Sequence, residues 1–280
     1  MFLKIFKSIS KYRAWSSSLE GSIGFVPTMG ALHEGHASLI KKSISSCKST
    51  VVSVFINPKQ FSADEDFDFY PQKNNEDLLL LDSIGVDALF VPDKNLIYPK
   101  NFSTTLKESR LSKTLEGLSR PHFFEGVLTV VLKLFNIISP TSAFFGKKDY
   151  QQLLVVKKMV EDLNLNLTVV GCDTVREKGG LAMSSRNEAF NNKEISFLGC
   201  IYDSLKIAQN KIRLGSKKSS DIKKSIDIYI SNFKGISVDY IEVSDLSSLK
   251  SIEIIDRSVL ISIAVFFKKT RLIDNIEVII

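Results

Sequence analysis

The chain has 280 residues, 44% of them hydrophobic and 24% charged, an ordinary globular composition with room for two domains at ~100–200 residues each. Its net charge of +6 comes mostly from lysine, with no arginine-rich helix, zinc-finger spacing or RNA-binding aromatic signature. A nucleic-acid partner is therefore not expected, and the charge reads as a lysine-rich solvated surface or as a basic cleft for an anionic ligand.

The start, MFLKIFKSISKYRAW, lacks the long apolar core and small-residue cleavage site of a secretory signal. Phe2, Leu3, Ile5, Phe6 and Ile9 are expected to pack on the core as a first strand or helix. No stretch reaches the ~18–20 uninterrupted apolar residues of a membrane span, so no membrane partner is expected. Cys47, Cys172 and Cys200 lie far apart, with neither metal nor disulfide spacing, which fits a reducing cytoplasm.

Residues 23–27 predict a strand and the run from 37 to 46 a helix. The β-branched segment 50–57 (TVVSVFIN) predicts a strand buried on both faces. A helix over 75–84, a strand over 88–91 and a helix over 127–138 follow, the last with Val127, Val130, Val131, Leu134 and Ile138 on one face. Next come a strand over 143–145, a helix over 151–163 and a strand over 167–172. This alternation implies a parallel sheet with right-handed crossovers, whose ligands bind beyond the carboxyl ends of the strands. Beyond about residue 175 the pattern predicts one long helix over 188–212, another over 219–233, and strands over 238–243 and 260–267. The expected architecture is α/β: a Rossmann-like parallel-sheet domain over 1–175 and a smaller α+β C-terminal lid domain over 176–280.

Three segments project to one edge of that sheet. PTMGALHEGH (27–36) places His33 and His36, two of only three histidines, between a strand and a helix N-terminus. Gly30 and Gly35 permit close approach of the backbone to a ligand, and the helix end suits phosphate. Imidazoles there can stabilise charge that builds up during displacement at phosphorus. FINPKQF (55–61) ends the next strand with the neutral amides Asn57 and Gln60, although Asn-Pro also initiates turns. GKKDYQQ (146–152) offers Lys148 for phosphate, Asp149 for ribose hydroxyls and Gln152 for an acid substrate, or else an ordinary helix start. LAMSSRN (181–187) follows Gly179 and Gly180; its two hydroxyls and guanidinium can clamp leaving phosphates or cap the next helix. A mobile loop here would keep water from a reactive acyl phosphate.

Together these segments resemble the pantothenate synthetases, the pantoate–β-alanine ligases of the HxGH nucleotidyltransferase superfamily. YPQ (70–72), IYP (97–99), LEGLSRP (115–121), FFGKKDYQQL (144–153), VREKGGLAMSSRN (175–187) and TRLIDN (270–275) complete the match, in family order and at family-like spacing. The resemblance implies a two-step, AMP-forming reaction. The pantoate carboxylate attacks the α-phosphate of ATP, and the amine of β-alanine then attacks the pantoyl adenylate. It implies Mg²⁺ carried by ATP rather than held in a protein cage, a homodimer paired through the larger domain, and residence in the cytoplasm.

Carried over by motif, Met29, Gly30, Ala31, Leu32, His33, Glu34, Gly35 and His36 would line the nucleotide, with His33 on the phosphates and His36 as proton donor. Gly146, Lys147, Lys148, Asp149, Val175, Met183, Ser184, Ser185 and Arg186 would complete the ATP site. Gln60, Gln152 and Asn57 would serve pantoate and β-alanine. The catalytic set would be His33, His36, Lys148, Ser184, Ser185 and Arg186. Pyrophosphate on Mg²⁺ is a good leaving group, so His36 is expected to act mainly as a charge-stabilising hydrogen-bond donor. The family commonly has glutamate at the position of Lys147 and a histidine one position after His122. Glu116 and Arg120 match, and are expected to pair with each other at the cleft or the dimer edge. The rival readings are another nucleotidyltransferase of the group, which would not need Gln60, Gln152 and the LIDN tail, and a non-catalytic binding protein on the same fold.

Overall fold

The computed structural model describes residues 3–61 and 73–280. Phe2 and the YPQ segment (70–72) lie outside the described residues. The chain opens with β1 (Lys4–Phe6) and α1 (Ile9–Ser16), so the amino-terminal apolar cluster supplies both a strand and a helix. Phe6 stacks on Trp15 at 5.2 Å, and the buried Tyr12 donates its hydroxyl to the Ile138 carbonyl at 3.1 Å.

The repeating units follow: β2 (Ile23–Thr28), α2 (Glu34–Ser46), β3 (Ser49–Val54), α3 (Asn74–Ile84), β4 (Ala88–Phe90), the short α4 (Lys94–Ile97) and α5 (Glu116–Ser119), α6 (Phe123–Ile138), β5 (Ser142–Gly146), α7 (Tyr150–Asp162) and β6 (Thr168–Cys172). The strands form a parallel six-stranded sheet in the order β1-β4-β3-β2-β5-β6. Side chains alternate across a strand. Phe25, Val51 and Phe145 therefore enter the core shared with α6 and α7, while Val26, Val52 and Phe144 enter the opposite core under α2 and α3. Burial on both faces is why the central strands read as unbroken apolar runs. The chain leaves β2 toward β3 and β4 on one side and returns to β5 on the other. The switch point, where a crevice opens, thus lies between the ends of β2 and β5.

The C-terminal part consists of α8 (Asn192–Leu198), α9 (Cys200–Arg213), α10 (Ser219–Ile230) and an antiparallel sheet of β7 (Ile236–Asp245), β8 (Val259–Phe267) and β9 (Thr270–Val278), in that order. The helices α9 and α10 cover one face of this sheet; Leu260, with Leu249 from the β7–β8 connection, joins the core of the larger domain. The single helix expected over 188–212 is instead a 3₁₀ turn (Ser185–Ala189) followed by α8 and α9. The break falls at Gly199, where a Cβ would sit 1.8 Å from the Gly179 carbonyl oxygen. The loop before α8 packs directly on the helix joint, and only glycine leaves it room. The last predicted helix ends at Ile230 rather than 233.

Candidate active site

The β2–α2 connection is fixed from below. Gly30 (φ +87°) and Ala31 (φ 51°) both adopt left-handed backbone. The buried Asp77 carboxylate on α3 accepts the N–H groups of Ala31 at 2.9 Å and Leu32 at 2.7 Å. Helix α2 starts at Glu34, not at 37, so the histidine motif is itself the first turn. His33 is the N-cap: its Nδ1 accepts from the Gly35 N–H at 3.1 Å, and the His36 Nδ1 accepts from the His33 N–H at 3.3 Å. With both Nδ1 atoms occupied as acceptors, each neutral ring carries its proton on Nε2. The rings lie 4.1 Å apart and both line the cavity. Burial and the Lys148 charge lower the His33 pKa to about 4; burial, His33 and Lys148 lower that of His36 to about 3. Not all of PTMGALHEGH faces the cavity. Met29, His33, Gly35 and His36 line the cavity. Gly30 and Ala31 are buried beneath it, Leu32 points into the α2 side of the core, and Glu34 is exposed beside Lys41.

Asn57 also departs from expectation. It is buried, its Nδ2 donates to the Gly126 carbonyl at 3.0 Å, and its Oδ1 accepts from the Tyr98 hydroxyl at 2.8 Å and from the Lys59 N–H. These bonds tie the 3₁₀ turn Pro58–Gln60 to α6 and leave Asn57 as a support rather than a ligand contact. Gly126 makes the junction possible, since a Cβ there would lie 2.1 Å from the Lys59 carbonyl oxygen. Gln60 lines the cavity, and its carbonyl accepts from Arg120 Nη2 at 2.9 Å. Glu116 does not pair with Arg120: it binds Arg271 of β9 through both carboxylate oxygens at 2.6 and 3.0 Å. His122 is exposed just before α6 and does not line the cavity.

At the end of β5, Gly146, Lys148, Asp149 and Gln152 line the cavity. Lys147 turns the other way. Its Nζ lies 2.8 Å from Glu277 and 3.1 Å from Asp173, and the Glu277 hydrogen bond pushes its pKa up to about 12. Its side-chain charge is thus directed at Glu277 and Asp173 and not into the cavity. Val175 and Met183 join across a small hairpin, Met183 N–H to Val175 carbonyl at 3.0 Å, and both line the cavity with Ser184, Ser185 and Arg186. The Ser184 hydroxyl accepts the Arg186 N–H, so this serine caps its turn while facing the cleft.

The cavity has a volume of about 300 Å³. Its lining includes a cationic, donor-rich set: His33, His36, Lys148, Ser184, Ser185 and Arg186. It also includes the amides Gln60 and Gln152 and, from α6, the apolar Val127, Val130, Val131 and Leu134. A polyanion and a small branched acid are the ligands such a lining suits.

A family model, pantoate-beta-alanine ligase, matches residues 4–277. A pantothenate synthetase of Pseudothermotoga lettingae is 47% identical over 91% of this chain and 91% of its own. The chain belongs to the pantoate-beta-alanine ligase family. A pantothenate synthetase structure from Thermus thermophilus superposes with a TM-score of 0.94 at 36% identity, covering 99% of this chain and 100% of that one. A pantoate-beta-alanine ligase from Francisella tularensis, complexed with beta-gamma ATP and beta-alanine, superposes with a TM-score of 0.79 at 35% identity, over 98% and 97%.

Part of the cleft's lining comes from residues to which the sequence assigns no site role. Tyr240, Ser262, Arg271, Ile273, Asp274 and Asn275 close the cleft from the C-terminal sheet. The TRLIDN motif is the available signal, since four of these six lie in it. The sequence does not predict its strand, because charged and apolar residues mix along β9.

Proposed function

We propose that the cleft joins pantoate to β-alanine with consumption of ATP, in two steps through pantoyl adenylate, with the roles of the named residues as follows. His33, Lys148, Ser184, Ser185 and Arg186 hold the phosphates, Gln60 and Gln152 hold pantoate, and Gln60 also meets β-alanine. In the first step a carboxylate oxygen bonds to the α-phosphorus as the bond to pyrophosphate breaks. In the second the amine attacks the acyl carbon, AMP leaves, and the amine proton passes to solvent. The observation that carries the reading is the pair of neutral imidazoles, each with an Nε2–H for the cleft, beside Lys148 and the 184–186 loop. A neutral imidazole gives up its proton only as imidazolate, so His36 stabilises developing phosphate charge by hydrogen bonding and does not protonate the leaving group.

Among the described residues no three metal-ligating side chains gather into a cage. The groups around Lys148 are imidazole, hydroxyl and guanidinium, with the Asp149 carboxylate beside its ammonium, which suits a Mg²⁺ ion carried mainly by ATP's own phosphates. When bound, the ion would neutralise the departing pyrophosphate. The same reading includes a division into 1–175 and 176–280, pairing of two copies through the larger domain, and action in the cytoplasm. Among the described residues, no helix is long and apolar enough to cross a membrane.

The test is AMP release by purified protein with ATP and Mg²⁺, with pantoate and β-alanine together and each omitted in turn. The expected result is AMP and pantothenate only with both acids, and pyrophosphate exchange with pantoate alone. Absence of exchange despite ATP binding would overturn the reading in favour of a non-catalytic binder.

A further inference from the structure

Strand β9 belongs to the C-terminal sheet, yet its residues reach back to two parts of the cleft's donor-rich lining. The Asn275 side-chain amide donates to two successive carbonyls, those of Lys147 at 3.0 Å and Lys148 at 2.8 Å. These carbonyls belong to the 3₁₀ turn Lys147–Asp149, which presents Lys148. On the adjacent position, the buried Asp274 carboxylate receives both Nη groups of Arg176, at 2.6 and 3.0 Å. Arg176 also donates to the Gly180 carbonyl at 3.1 Å and stacks over Tyr202 at 3.5 Å. Its backbone pairs with Ala182, so it staples the hairpin that runs from Val175 to Met183 and leads into 184–186. Two residues along, Glu277 accepts from Lys147 and from the Tyr150 hydroxyl at 3.2 Å.

We infer that β9 is a positioning element for the nucleotide: Asn275, through the Lys147 and Lys148 carbonyls, and Asp274, through Arg176, fix the distance between Lys148 and the 184–186 loop. The chemistry of the bonds specifies the residue types. Only a side-chain amide or a similar double donor can satisfy two carbonyls at once; a carboxylate of the same shape would face them with acceptors alone. Only a carboxylate matches the guanidinium fork in bidentate fashion. The consequence is that ATP is gripped fully only when the C-terminal sheet is seated on the larger domain. Gln60 sits on the separate turn Pro58–Gln60 against α6, so β-alanine should not depend on this bar.

This inference rests on the ligase reading for its kinetic test and on ATP binding alone for its second test. Variants Asn275→Ala and Asn275→Asp are compared with the wild type. Pyrophosphate exchange with pantoate is expected to fall about 10²-fold in kcat/KM for ATP, the order that a misplacement near 1 Å produces. Asn275→Asp should be at least as damaging as Asn275→Ala despite its shape. The KM for β-alanine in the full reaction should stay within about twofold of wild type, since Asn275 touches neither amide. Calorimetric titration with ATP, which needs no turnover, should show weakened binding in both variants. Near-wild-type ATP binding and exchange in Asn275→Asp would overturn the inference, as would an equal rise in KM for ATP and β-alanine. If Asn275→Asp does not fold, Asn275→Ala and Asp274→Asn decide by the same readouts. A wild type that binds ATP without exchange would strike the ligase reading alone and leave the ATP titration to decide this one.

Discussion

His33 and His36 form a reciprocal cap, each ring nitrogen Nδ1 occupied by a backbone N–H of the same helix turn. The cap sets the tautomer, and the tautomer sets the role. Gln can place an amide N–H near the position of the imidazole Nε2–H, whereas Ala cannot. His36→Gln is therefore expected to retain about tenfold more exchange activity than His36→Ala, the value of one charge-stabilising hydrogen bond. Equal loss in both would mean that the donor is not what matters.

The same pair predicts a pH effect. Each folded pKa, about 4 and about 3, lies below the ordinary value of 6.5, so the unfolded chain binds these protons first. The stability available with neutral rings is complete above about pH 6.5 and is lost as pH falls from there toward the folded values. His36→Gln removes one of the two groups and should lose less stability than wild type between about pH 7.5 and about pH 5, as read by urea midpoints. An identical decline in both proteins would show that His36 is not held neutral.

Among the elements, the glycine at 126 is where packing and binding meet. A Cβ there must displace the Lys59 carbonyl, and with it the turn that carries Gln60. Gly126→Ala should cost about 1–3 kcal/mol as overpacking and also raise the KM for pantoate. Lost stability with an unchanged KM would place Gln60 outside the acid site. Lys147 offers a second test. Lys147→Glu would face Glu277 and Asp173 with a like charge, lowering stability by on the order of 1 kcal/mol at low salt. Adding Glu277→Lys should restore much of that loss, and a double-mutant cycle measures it.

These junctions are also where sequence reasoning stops. The strands ending in PTMG, NPKQF and GKKDYQQ are legible because burial on both faces leaves continuous apolar runs, and their parallel order follows from the alternation with helices. The inward turn of Asn57, the outward turn of Lys147 and the break at Gly199 each depend on a partner far along the chain: Gly126, Glu277 and Gly179. Local propensity does not register such partners, and a motif names residues without saying which way they point.

At the scale of the whole molecule, the cleft has two walls from two sheets, and the seam between them is largely polar. Glu116 of α5 holds Arg271 of β9 in bidentate fashion, accepts the Tyr240 hydroxyl at 2.9 Å, and shares Arg271 with Asp239. Gln151 in turn fixes Glu116, its Oε1 accepting the Glu116 N–H at 3.0 Å while its Nε2 donates to the Leu111 and Thr114 carbonyls. Further ties are the Lys147–Glu277 cluster, the β9 anchors, the Lys73–Glu188 pair and the small apolar patch around Leu249 and Leu260. Glu116→Ala leaves a largely buried guanidinium with Asp239 as its remaining carboxylate partner, at a cost on the order of 3 kcal/mol. Because that cost falls on the seam and not on either core, the two parts should uncouple before either melts. Calorimetry is expected to resolve two transitions in Glu116→Ala against one in the wild type, and saturating ATP with pantoate should draw the two together by binding across both walls. A single transition, merely shifted downward, would mean that the C-terminal sheet is fastened by its apolar patch and that Glu116 only tunes it.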